Sequence, residues 1–426
     1  MVDFLWKIDP LHPVNYVLLL GNGGREHAWA LALEQCGVKI ITWAPVMNPG
    51  IEDVAEVTIQ SDYDMDQDLI SEWIGVIDLV IIGPETPLVM GMTDWLQSLG
   101  LETFAPTMAN ARLEGSKSYL RSLLSRYGVK GNVPYSICTS EKDLKGALKK
   151  RLDVAIKPDG LTGGKGVKVF GDHFTSFKEA MKYGKELLEK DGKVLLEEKL
   201  VGTEFSLQGL AYGERIIFLP LVKDYKRAYD GNKGPNTGSM GSVSYPNHGL
   251  PYVNESDLEE AKKIILSVLS ALKEENGAYI GAIYGQFMLT KAGPKIIEFN
   301  ARLGDPEAIN TLALLESPLL QIIRELKQKT PEVRFAKKAT CVIYLVPQGY
   351  PENPKAEEEI ILPSDLYDSV RFASVRAEEG KLFTSKSRSI AMVGKGETLE
   401  EARKDAYEKI GENFSSLQYR KDIGSI

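Results

Sequence analysis

Residues 16–27 read YVLLLGNGGREH, and this stretch decides the fold of the first part of the chain. Apolar residues run into a glycine-rich turn, which predicts a buried strand that leads through the turn into a helix. Further apolar runs at 38–42, 78–82 and 101–105 predict three more strands. Because helix-spaced segments separate some of these runs, the sequence predicts an α/β unit with a parallel, doubly wound sheet.

The middle of the chain has a different pattern. Helices are predicted over 110–128 and 256–276. Several strand-like runs are joined by short glycine-containing turns, which favours antiparallel pairing. These runs are 154–157, 166–170, 193–197, 204–211, 215–222, 283–289 and 295–299. A third unit begins with a predicted strand at 340–346 and ends in a helix that starts at Leu399.

Length and composition indicate a folded protein of about three domains. The chain has 426 residues, of which 43% are hydrophobic and 26% charged, so it is neither disordered nor fibrous. Its 51 Lys and Arg residues and 59 Asp and Glu residues leave a net charge of −8. We expect no nucleic acid partner, because non-specific binding to phosphates needs a basic field.

Cys36, Cys138 and Cys341 are widely spaced and form no CxxC pair, so we expect free thiols. No apolar run approaches the roughly 20 residues of a membrane span, and residues 1–15 do not resemble a signal peptide. The chain is therefore expected to be cytoplasmic, without a membrane partner. Since no large unexplained apolar stripe is visible, we expect a monomer.

The first loop joins a predicted strand to a predicted helix, where free backbone N–H groups favour an anion. Its residues are Gly21, Asn22, Gly23, Gly24, Arg25, Glu26 and His27. Glu26 stands where a dinucleotide fingerprint has its third glycine, so a phosphate monoester clamped by Arg25 fits better. A tight turn without a ligand is the alternative, and His27 fits a purely structural hydrogen bond equally well.

The sequence GPETPL at 83–88 follows another predicted strand. The carboxyl ends of parallel strands share one edge of a sheet, so this loop and the first loop are expected to face one pocket. Glu85 could then hold sugar hydroxyls. A plain turn explains the same residues.

The sequence KPDGLTGGKGV at 157–167 places four glycines between two predicted strands. It is not a Walker loop, because Asp159 and Gly166 replace residues that this motif requires. The pattern predicts a mobile lid whose N–H groups approach the phosphates of a nucleoside triphosphate. A flexible hairpin is the alternative.

Glu298 and Asn300 are two residues apart on a predicted strand, hence on one face. Their oxygens suit Mg²⁺, and Gln286 would add another if the two strands pair. A buried salt-bridged corner is the alternative.

The run at 195–204 could bind adenine and ribose, although exposed glutamates explain it better by themselves. Residues 223–242 are so rich in polar residues and glycine that they predict a long functional loop.

Six motifs in this order resemble those of the phosphoribosylamine–glycine ligase (glycinamide ribonucleotide synthetase) family of ATP-grasp enzymes. They are GNGGREHA, GPETPL, LEGSK, KPDGLTGGKGV, GPNTGSMG and EFNARLGDPE. The resemblance implies an N-terminal doubly wound domain at 1–115 and an ATP-grasp unit at 116–330. That unit would have two α+β subdomains, with the lid at about 130–198. A small C-terminal α/β domain would follow at 335–426.

The resemblance also implies roles for individual residues. ATP binding is implied for Lys117, Lys157, Gly163, Gly164, Lys165, Gly166, Glu197, Glu198, Lys199, Leu200 and Glu204. Binding of Mg²⁺ or Mn²⁺ is implied for Gln286, Glu298 and Asn300. Substrate binding is implied for Gly21, Asn22, Gly23, Gly24, Arg25, Glu26, His27, Glu85, Asp230, Asn236, Thr237, Gly238 and Asp305. Catalysis is implied for Asp224, Lys226 and Arg302.

The implied activity is the ATP-dependent joining of glycine to 5-phosphoribosylamine in de novo purine biosynthesis. Glycyl phosphate would form first, and the products would be glycinamide ribonucleotide, ADP and phosphate. Two alternatives stay open: an ATP-grasp ligase with other substrates, and a catalytically silent nucleotide-binding regulator. The sequence TSKSR at 384–388 departs from the family's usual glycine-rich pattern, which leaves the contacts of the C-terminal domain open.

Overall fold

The computed structural model describes residues 15–163 and 166–425. Gly164 and Lys165 of the predicted lid loop lie outside these residues, as does the segment 1–14. The described chain contains parallel and antiparallel sheets flanked by helices. It is therefore an α/β protein, as the sequence predicts.

The N-terminal unit is built on a parallel sheet. Its elements are β1 (Tyr16–Leu20), α1 (Gly24–Glu34), β2 (Lys39–Ala44), α2 (Pro49–Glu52), β3 (Ala55–Gln60), β4 (Leu79–Ile82), α3 (Glu85–Met90), α4 (Met92–Ser98), β5 (Thr103–Phe104) and α5 (Met108–Gly115). The strand order is β3-β2-β1-β4-β5, so the chain order reverses between β1 and β4. Ligands of open parallel sheets bind at such a reversal. The loops after β1 and β4 meet there, as predicted.

The burial of β1 explains why helices cover both faces of this sheet. Val17 and Leu19 pack into one hydrophobic core, which includes residues of α1. Leu18 and Leu20 point to the opposite face and pack into a second core, which includes residues of α3 and α4. Because successive side chains of a strand alternate between faces, an unbroken apolar run needs apolar partners on both sides.

Two predictions for this part of the chain are wrong in detail. Strand β3 was not predicted, because its residues alternate between half-buried and exposed at the edge of the sheet and form no apolar run. The single helix predicted over 110–128 is two helices, with a break at Ser116. The hydroxyl of Ser116 accepts a hydrogen bond from Tyr119 N at 3.2 Å and so caps the second helix.

The next unit is a small antiparallel sheet with helices. Its elements are α6 (Lys117–Arg126), β6 (Tyr135–Cys138), α7 (Glu141–Lys150), β7 (Val154–Pro158), β8 (Lys168–Val169), α8 (Phe177–Asp191) and β9 (Val194–Glu198). The strand order is β6-β9-β7-β8, and every pairing is antiparallel. The glycine-rich loop joins β7 to β8, so the predicted antiparallel pairing around it is confirmed.

A second antiparallel sheet follows. Its region contains β10 (Thr203–Tyr212), β11 (Arg215–Phe218), β12 (Lys223–Asp224), β13 (Arg227–Tyr229), β14 (Lys233–Asn236), β15 (Gly241–Ser244), α9 (Glu255–Asn276), β16 (Ile280–Thr290), β17 (Gly293–Asn300), α10 (Glu307–Leu314) and α11 (Leu319–Leu326). The sheet order is β11-β10-β16-β17, and β13 pairs with β14 as a separate hairpin. The segment predicted as a loop at 223–242 thus contains four short strands. They could not be predicted from runs of apolar residues, because most of their residues are polar or glycine.

The C-terminal unit shares its main sheet with the preceding region. Its elements are β18 (Ala339–Pro347), β19 (Glu359–Ile360), β20 (Val370–Phe372), β21 (Val375–Glu378), β22 (Lys381–Thr384), β23 (Ile390–Gly396), α12 (Leu399–Ile410) and β24 (Leu417–Gln418). Strands β12 and β15 extend the sheet in the order β12-β15-β18-β23-β20. The domain boundaries expected from the sequence stay a prediction. No helix within the described residues is long and apolar enough to cross a membrane.

Gly394 sets the distance between β23 and α12. A Cβ at this position would lie 2.5 Å from Ala406 N and 2.7 Å from Ala406 Cβ, both inside van der Waals contact. We expect Gly394→Ala to lower the free energy of unfolding by about 2 kcal/mol through overpacking, measured by urea denaturation. Gly75→Ala is the matched control, since nothing lies near its added Cβ. Equal destabilisation by the two substitutions would contradict this packing.

Candidate functional site

A cleft of about 720 Å³ lies where the units of the fold meet. Arg25 and Glu85 reach it from the first turns of α1 and α3, and Lys157 reaches it from β7. Glu298 lines it from β17, and Arg388 comes from the C-terminal unit. Every part of the fold therefore contributes charged side chains to this one cleft.

Glu26 holds together the two loops at the reversal of the parallel sheet. Its carboxylate accepts a hydrogen bond from Gly23 N at 2.8 Å and one from Arg25 Nε at 2.5 Å. A Cβ at Gly21 or Gly83 would overlap the Glu26 side chain, so both positions require glycine. Glu26 is buried and holds the two loops in place. It does not line the cleft, although the resemblance implies that it binds substrate.

The start of α1 is packed against other parts of the protein. Asn22 Nδ2 donates to Val46 O at 2.8 Å. A Cβ at Gly24 would lie 2.5 Å from the Tyr344 hydroxyl of β18. Of the seven predicted residues of the first loop, only Arg25 lines the cleft. The tight turn foreseen as an alternative therefore accounts for much of the glycine content.

His27 lies outside the cleft. It is 3% exposed, and its Nδ1 accepts a hydrogen bond from Phe372 N at 2.9 Å. Burial, together with the nearby charge of Arg371, lowers the pKa of His27 to about 3. The fold contains the structural hydrogen bond that the sequence offered as the alternative. The implied substrate contact of His27 stays a prediction.

Because the pKa of His27 is depressed in the folded state, its neutral form contributes stability above the unfolded pKa of 6.5, and this contribution is lost as the pH falls towards 3. We expect His27→Asn, which keeps an acceptor for Phe372 N, to flatten the loss of stability between pH 6.5 and 4. The difference in slope should be about 1.4 kcal/mol per pH unit, measured by urea unfolding at several pH values. Equal slopes for the two proteins would contradict a buried neutral His27.

Arg302 is held by two carboxylates. Its Nε lies 3.2 Å from Glu85 Oε2, and its Nη2 lies 2.9 Å from Glu114 Oε1. The charge of Arg302 lowers the pKa of Glu85 to about 2, whereas burial raises the pKa of Glu114 to about 7. Glu114 also accepts from Ala301 N at 2.8 Å. Sequence reasoning missed Glu114 as a site residue, although it belongs to the LEGSK motif.

Arg388 brings the C-terminal unit into the site. Its Nη2 lies 2.8 Å from Asp305 Oδ2, and its Nη1 donates to the carbonyl oxygens of Gly238 and Ser239. The hydroxyl of Tyr344 donates to Asp305 Oδ1 at 2.5 Å. The sequence does draw attention to Arg388, because it ends the segment TSKSR that departs from the family's usual pattern. Its partners could not be foreseen, because they lie more than 80 residues away.

Asp224, Lys226 and Glu204 form a charged group within the cleft. Lys226 Nζ lies 3.6 Å from Glu204 Oε2 and 4.0 Å from Asp224 Oδ2. Burial and the charge of Glu307 raise the pKa of Asp224 to about 7. Burial works against the charge of Lys226, yet Glu204 and Asp224 raise its pKa to about 12. The lysine is therefore a fixed positive charge.

The oxygens predicted to bind a metal do lie together. Strands β16 and β17 pair with Gln286 opposite Glu298, and Gln286, Glu298 and Asn300 line the cleft. Gln286 Nε2 donates to Glu204 Oε2 at 2.7 Å. Within the described part of the chain, Gln286 Oε1 and Asp224 Oδ1 are buried without a hydrogen-bond partner. Free carboxylate and amide oxygens fit a hard divalent cation.

A buried ion-pair group borders the predicted nucleotide side. Glu197 Oε2 lies 2.7 Å from Lys157 Nζ, and Arg121 donates to both Glu197 oxygens at 2.7 and 2.9 Å. Burial would raise the pKa of Glu197, but the two cations lower it to about 2. Glu197 is 4% exposed, so the explanation by exposed glutamates is wrong for this residue. Arg121 was not predicted, since its partner is 76 residues away.

The remaining nucleotide candidates are divided. Gly163, Glu198, Lys199, Leu200 and Glu204 line the cleft. Lys117 and Gly166 do not line it, and Lys117 Nζ donates to Gly160 O at 2.8 Å. Burial lowers the pKa of Lys117. Gly164 and Lys165 lie outside the described residues, so their predicted role stays a prediction.

The hairpin of β13 and β14 carries the rest of the predicted substrate residues. Asn236, Thr237 and Gly238 line the cleft, as does Asp305. Asp230 does not line it, and its Oδ1 accepts a hydrogen bond from Lys421 N at 2.8 Å. Asp230 thus has a partner within the protein, and its implied substrate contact stays a prediction.

Comparison with known proteins identifies the family of this chain. Three profiles of phosphoribosylglycinamide synthetase match: the N domain over 15–114, the ATP-grasp (A) domain over 115–308 and the C domain over 340–426. The phosphoribosylamine–glycine ligase of Methanosarcina acetivorans is 41% identical over 96% of this chain and 94% of its own length.

Solved structures show the same similarity. The crystal structure of phosphoribosylamine–glycine ligase from Thermotoga maritima has a TM-score of 0.82 and 30% identity, and covers 96% of this chain and all of that chain. An ADP complex of N5-carboxyaminoimidazole ribonucleotide synthetase has a TM-score of 0.67 at 14% identity, covering 94% of this chain and 97% of that one, and this shows the fold alone. The chain therefore belongs to the phosphoribosylamine–glycine ligase family, with the ATP-grasp fold.

Proposed function

We propose that this chain catalyses the reaction for which its family is named, the joining of glycine to 5-phosphoribosylamine in de novo purine biosynthesis. Family membership makes it an ATP-dependent carbon–nitrogen ligase, and ATP-grasp enzymes use ATP and divalent metal ions. The observation that carries the proposal is the single cleft, which joins the strand-end loops of the N-terminal unit to the β7–β8 lid and to the oxygens of β17.

A two-step route follows from the chemistry of the substrates. A carboxylate is a poor acyl donor, because oxide is a poor leaving group. We propose that an oxygen of the glycine carboxylate attacks the γ-phosphorus of ATP, so that the bond to ADP breaks and glycyl phosphate forms. The amine of phosphoribosylamine then attacks the carbonyl carbon, loses a proton and displaces phosphate. The product is glycinamide ribonucleotide.

The nucleotide would lie along the lid. We assign the adenine to residues 197–200 and the ribose to Glu204, all of which line the cleft. Lys157 would exchange its bond to Glu197 for the phosphates, with Lys117 nearby. The loop through Gly163, Gly164, Lys165 and Gly166 would cover the phosphates and exclude water from the acyl phosphate.

Mg²⁺ or Mn²⁺ would be held by Glu298, Asn300 and Gln286, whose oxygens fit a hard cation. When bound, it supplies positive charge next to the phosphates of ATP. Lys226 and Arg302 add fixed positive charge on the protein side, close to the same strand end. Positioning and charge neutralisation of this kind suit phosphoryl transfer, which needs no nucleophile from the protein.

The two other substrates would lie next to each other in the cleft, so that the amine of one can reach the carbonyl carbon of the other. We assign the phosphate and ribose of phosphoribosylamine to Arg25 and Glu85, which both line the cleft. Asp224 has a buried oxygen without a partner among the described residues, which suits the ammonium group of glycine. Asp305 and residues 236–238 would border the acyl phosphate, close to Arg388.

The proposal extends to a cytoplasmic monomer that works without nucleic acid or membrane partners. The net charge of −8 supports the first of these exclusions, because a phosphate backbone needs a basic surface. Light scattering on the purified chain tests the monomeric state. A stable dimer would overturn that part of the proposal and leave the reaction unaffected.

Release of ADP tests the reaction directly. The protein is mixed with MgATP, with glycine and freshly generated phosphoribosylamine added singly and together. Turnover that requires both substrates supports the proposed ligase. Release that depends on neither would favour another ATP-grasp ligase with different substrates, and the absence of release would favour a silent nucleotide-binding regulator.

A further inference from the structure

The hairpin of β13 and β14 forms one wall of the cleft, although its own pairing is weak. Its ladder contains two paired positions, Arg227 with Asn236 and Tyr229 with Lys233, with an irregularity between them. A two-stranded hairpin of this size is marginally stable in water by itself. Since Arg227, Asn232 and Asn236 line the cleft, the position of this wall depends on contacts from elsewhere.

Arg420 supplies the strongest of these contacts. Its side chain is 1% exposed, and it donates to Arg227 O at 2.9 Å and to Asn232 Oδ1 at 3.0 Å. The same guanidinium forms two bonds of 2.7 Å to Asp422 and lies 5.2 Å from the ring centre of Tyr225. One buried cation therefore joins strand β13 and the turn of the hairpin to the C-terminal segment.

The residues next to Arg420 complete this connection. Asp422 Oδ2 accepts a hydrogen bond from Gly231 N at 2.8 Å. Lys421 N donates to Asp230 Oδ1 at 2.8 Å. The turn of the hairpin is thus bound at three successive residues. Charge-assisted and bidentate hydrogen bonds of this kind are stronger and more directional than neutral ones.

The C-terminal segment is itself anchored. Arg403 of α12 donates to Ile423 O at 3.1 Å and to Lys421 O at 2.8 Å. By contrast, the contact of the hairpin with Glu352, through the Tyr229 hydroxyl at 3.0 Å, is exposed to solvent. The position of the hairpin is therefore set mainly from α12 through residues 420–423.

We propose that Arg420 and Asp422 are positioning residues for the ligase reaction. Neither lines the cleft, and they act by holding Arg227, Asn232 and Asn236 in place around the bound substrates. This inference rests on the proposed function for its effect on turnover, but its effect on the hairpin is independent of that function.

Arg420→Met and Asp422→Asn test the inference, with Arg376→Met as the matched control. Arg376 belongs to the same unit and pairs with two carboxylates, but it is exposed and its bonds stay within that unit. The first measurement is amide hydrogen exchange at 228–236 in the substrate-free protein. We expect exchange to be faster by about tenfold or more in the two test variants, with protection of β18 and of the control unchanged.

The second measurement compares turnover with nucleotide binding. We expect kcat/KM for phosphoribosylamine to fall by about 100-fold in the test variants, because small misplacements of positioning groups have effects of this size. The dissociation constant of ADP should stay within about threefold, because residues 197–200 belong to a different sheet. A purely structural defect would weaken both together.

Each other outcome overturns the inference. Unchanged exchange would mean that the pair does not hold the hairpin, and faster exchange with normal turnover would mean that the hairpin's position is irrelevant. Asp422→Asn keeps the shape of the side chain, so loss of β18 protection in this variant as well would make the pair a general stability element. If the unmodified protein does not form glycinamide ribonucleotide, the proposed function fails, whereas the exchange measurement still decides whether the pair holds the hairpin.

Discussion

Glu298→Gln is expected to lower kcat by about 1,000-fold or more, equivalent to about 4 kcal/mol of transition-state stabilisation. Glutamine has the same shape, so strands β16 and β17 should pair as before, with residue 298 opposite Gln286. The substitution removes the single carboxylate from the proposed metal-binding set of Glu298, Asn300 and Gln286. The phosphates of ATP would then lose most of the positive charge that balances them.

The measurement is steady-state ADP release with saturating MgATP, glycine and phosphoribosylamine. Glu259→Gln is the matched control, because Glu259 pairs with Lys262 on the exposed surface of α9. We expect this control to retain normal turnover. Circular dichroism and thermal unfolding establish that both variants are folded. Near-normal turnover of folded Glu298→Gln would remove Glu298 from the proposed metal site.

Arg302→Lys is expected to lower kcat by about 100-fold or more, even though the charge is kept. Arginine bridges Glu85 and Glu114 with separate nitrogens and still donates to Leu303 O. A lysine ammonium is a point charge on a flexible stem, so it cannot hold both carboxylates and face the transferring phosphoryl group. The loss should fall on kcat more than on the KM for ATP.

The same ADP-release assay measures this effect. Arg126→Lys serves as control, since Arg126 pairs with Glu275 at the surface and lies outside the cleft. The pH profile adds a second readout, because burial raises the pKa of Glu114 and the charge of Arg302 opposes that rise. If Arg302→Lys kept normal kcat, the guanidinium would have only a structural role.

The elements that sequence patterns predicted are those whose signal is local. Helix α9 was expected at 256–276 and runs over Glu255–Asn276. Strand β1 was expected and found at Tyr16–Leu20, because both of its faces are buried. Strand β3 was missed, since an edge strand needs few apolar residues. The hairpin at 227–236 was missed for the same reason, as its residues are polar.

The residues of the candidate site likewise differ in whether a local pattern or a distant contact determines their place. Residues of one motif, such as Glu298 and Asn300, could be placed together because strand geometry determines their spacing. Arg388 could not, because its place beside Asp305 depends on how the C-terminal unit packs against the rest. The protein partners of Glu26, His27 and Asp230 could not be predicted from the sequence either. Their implied roles in substrate binding stay predictions.

The contacts of Arg388 and Arg420 have a consequence for the synthesis of this protein on the ribosome. Domains generally fold in the order in which they are made. The parallel sheet and the antiparallel sheets β6-β9-β7-β8 and β11-β10-β16-β17 are complete in the chain by Asn300. The partners of Asp305 and of the hairpin are made 80 or more residues later. A nascent chain therefore contains these three sheets well before its cleft is complete. Chains that end before Arg388 and Arg420 should therefore be unable to turn over substrate.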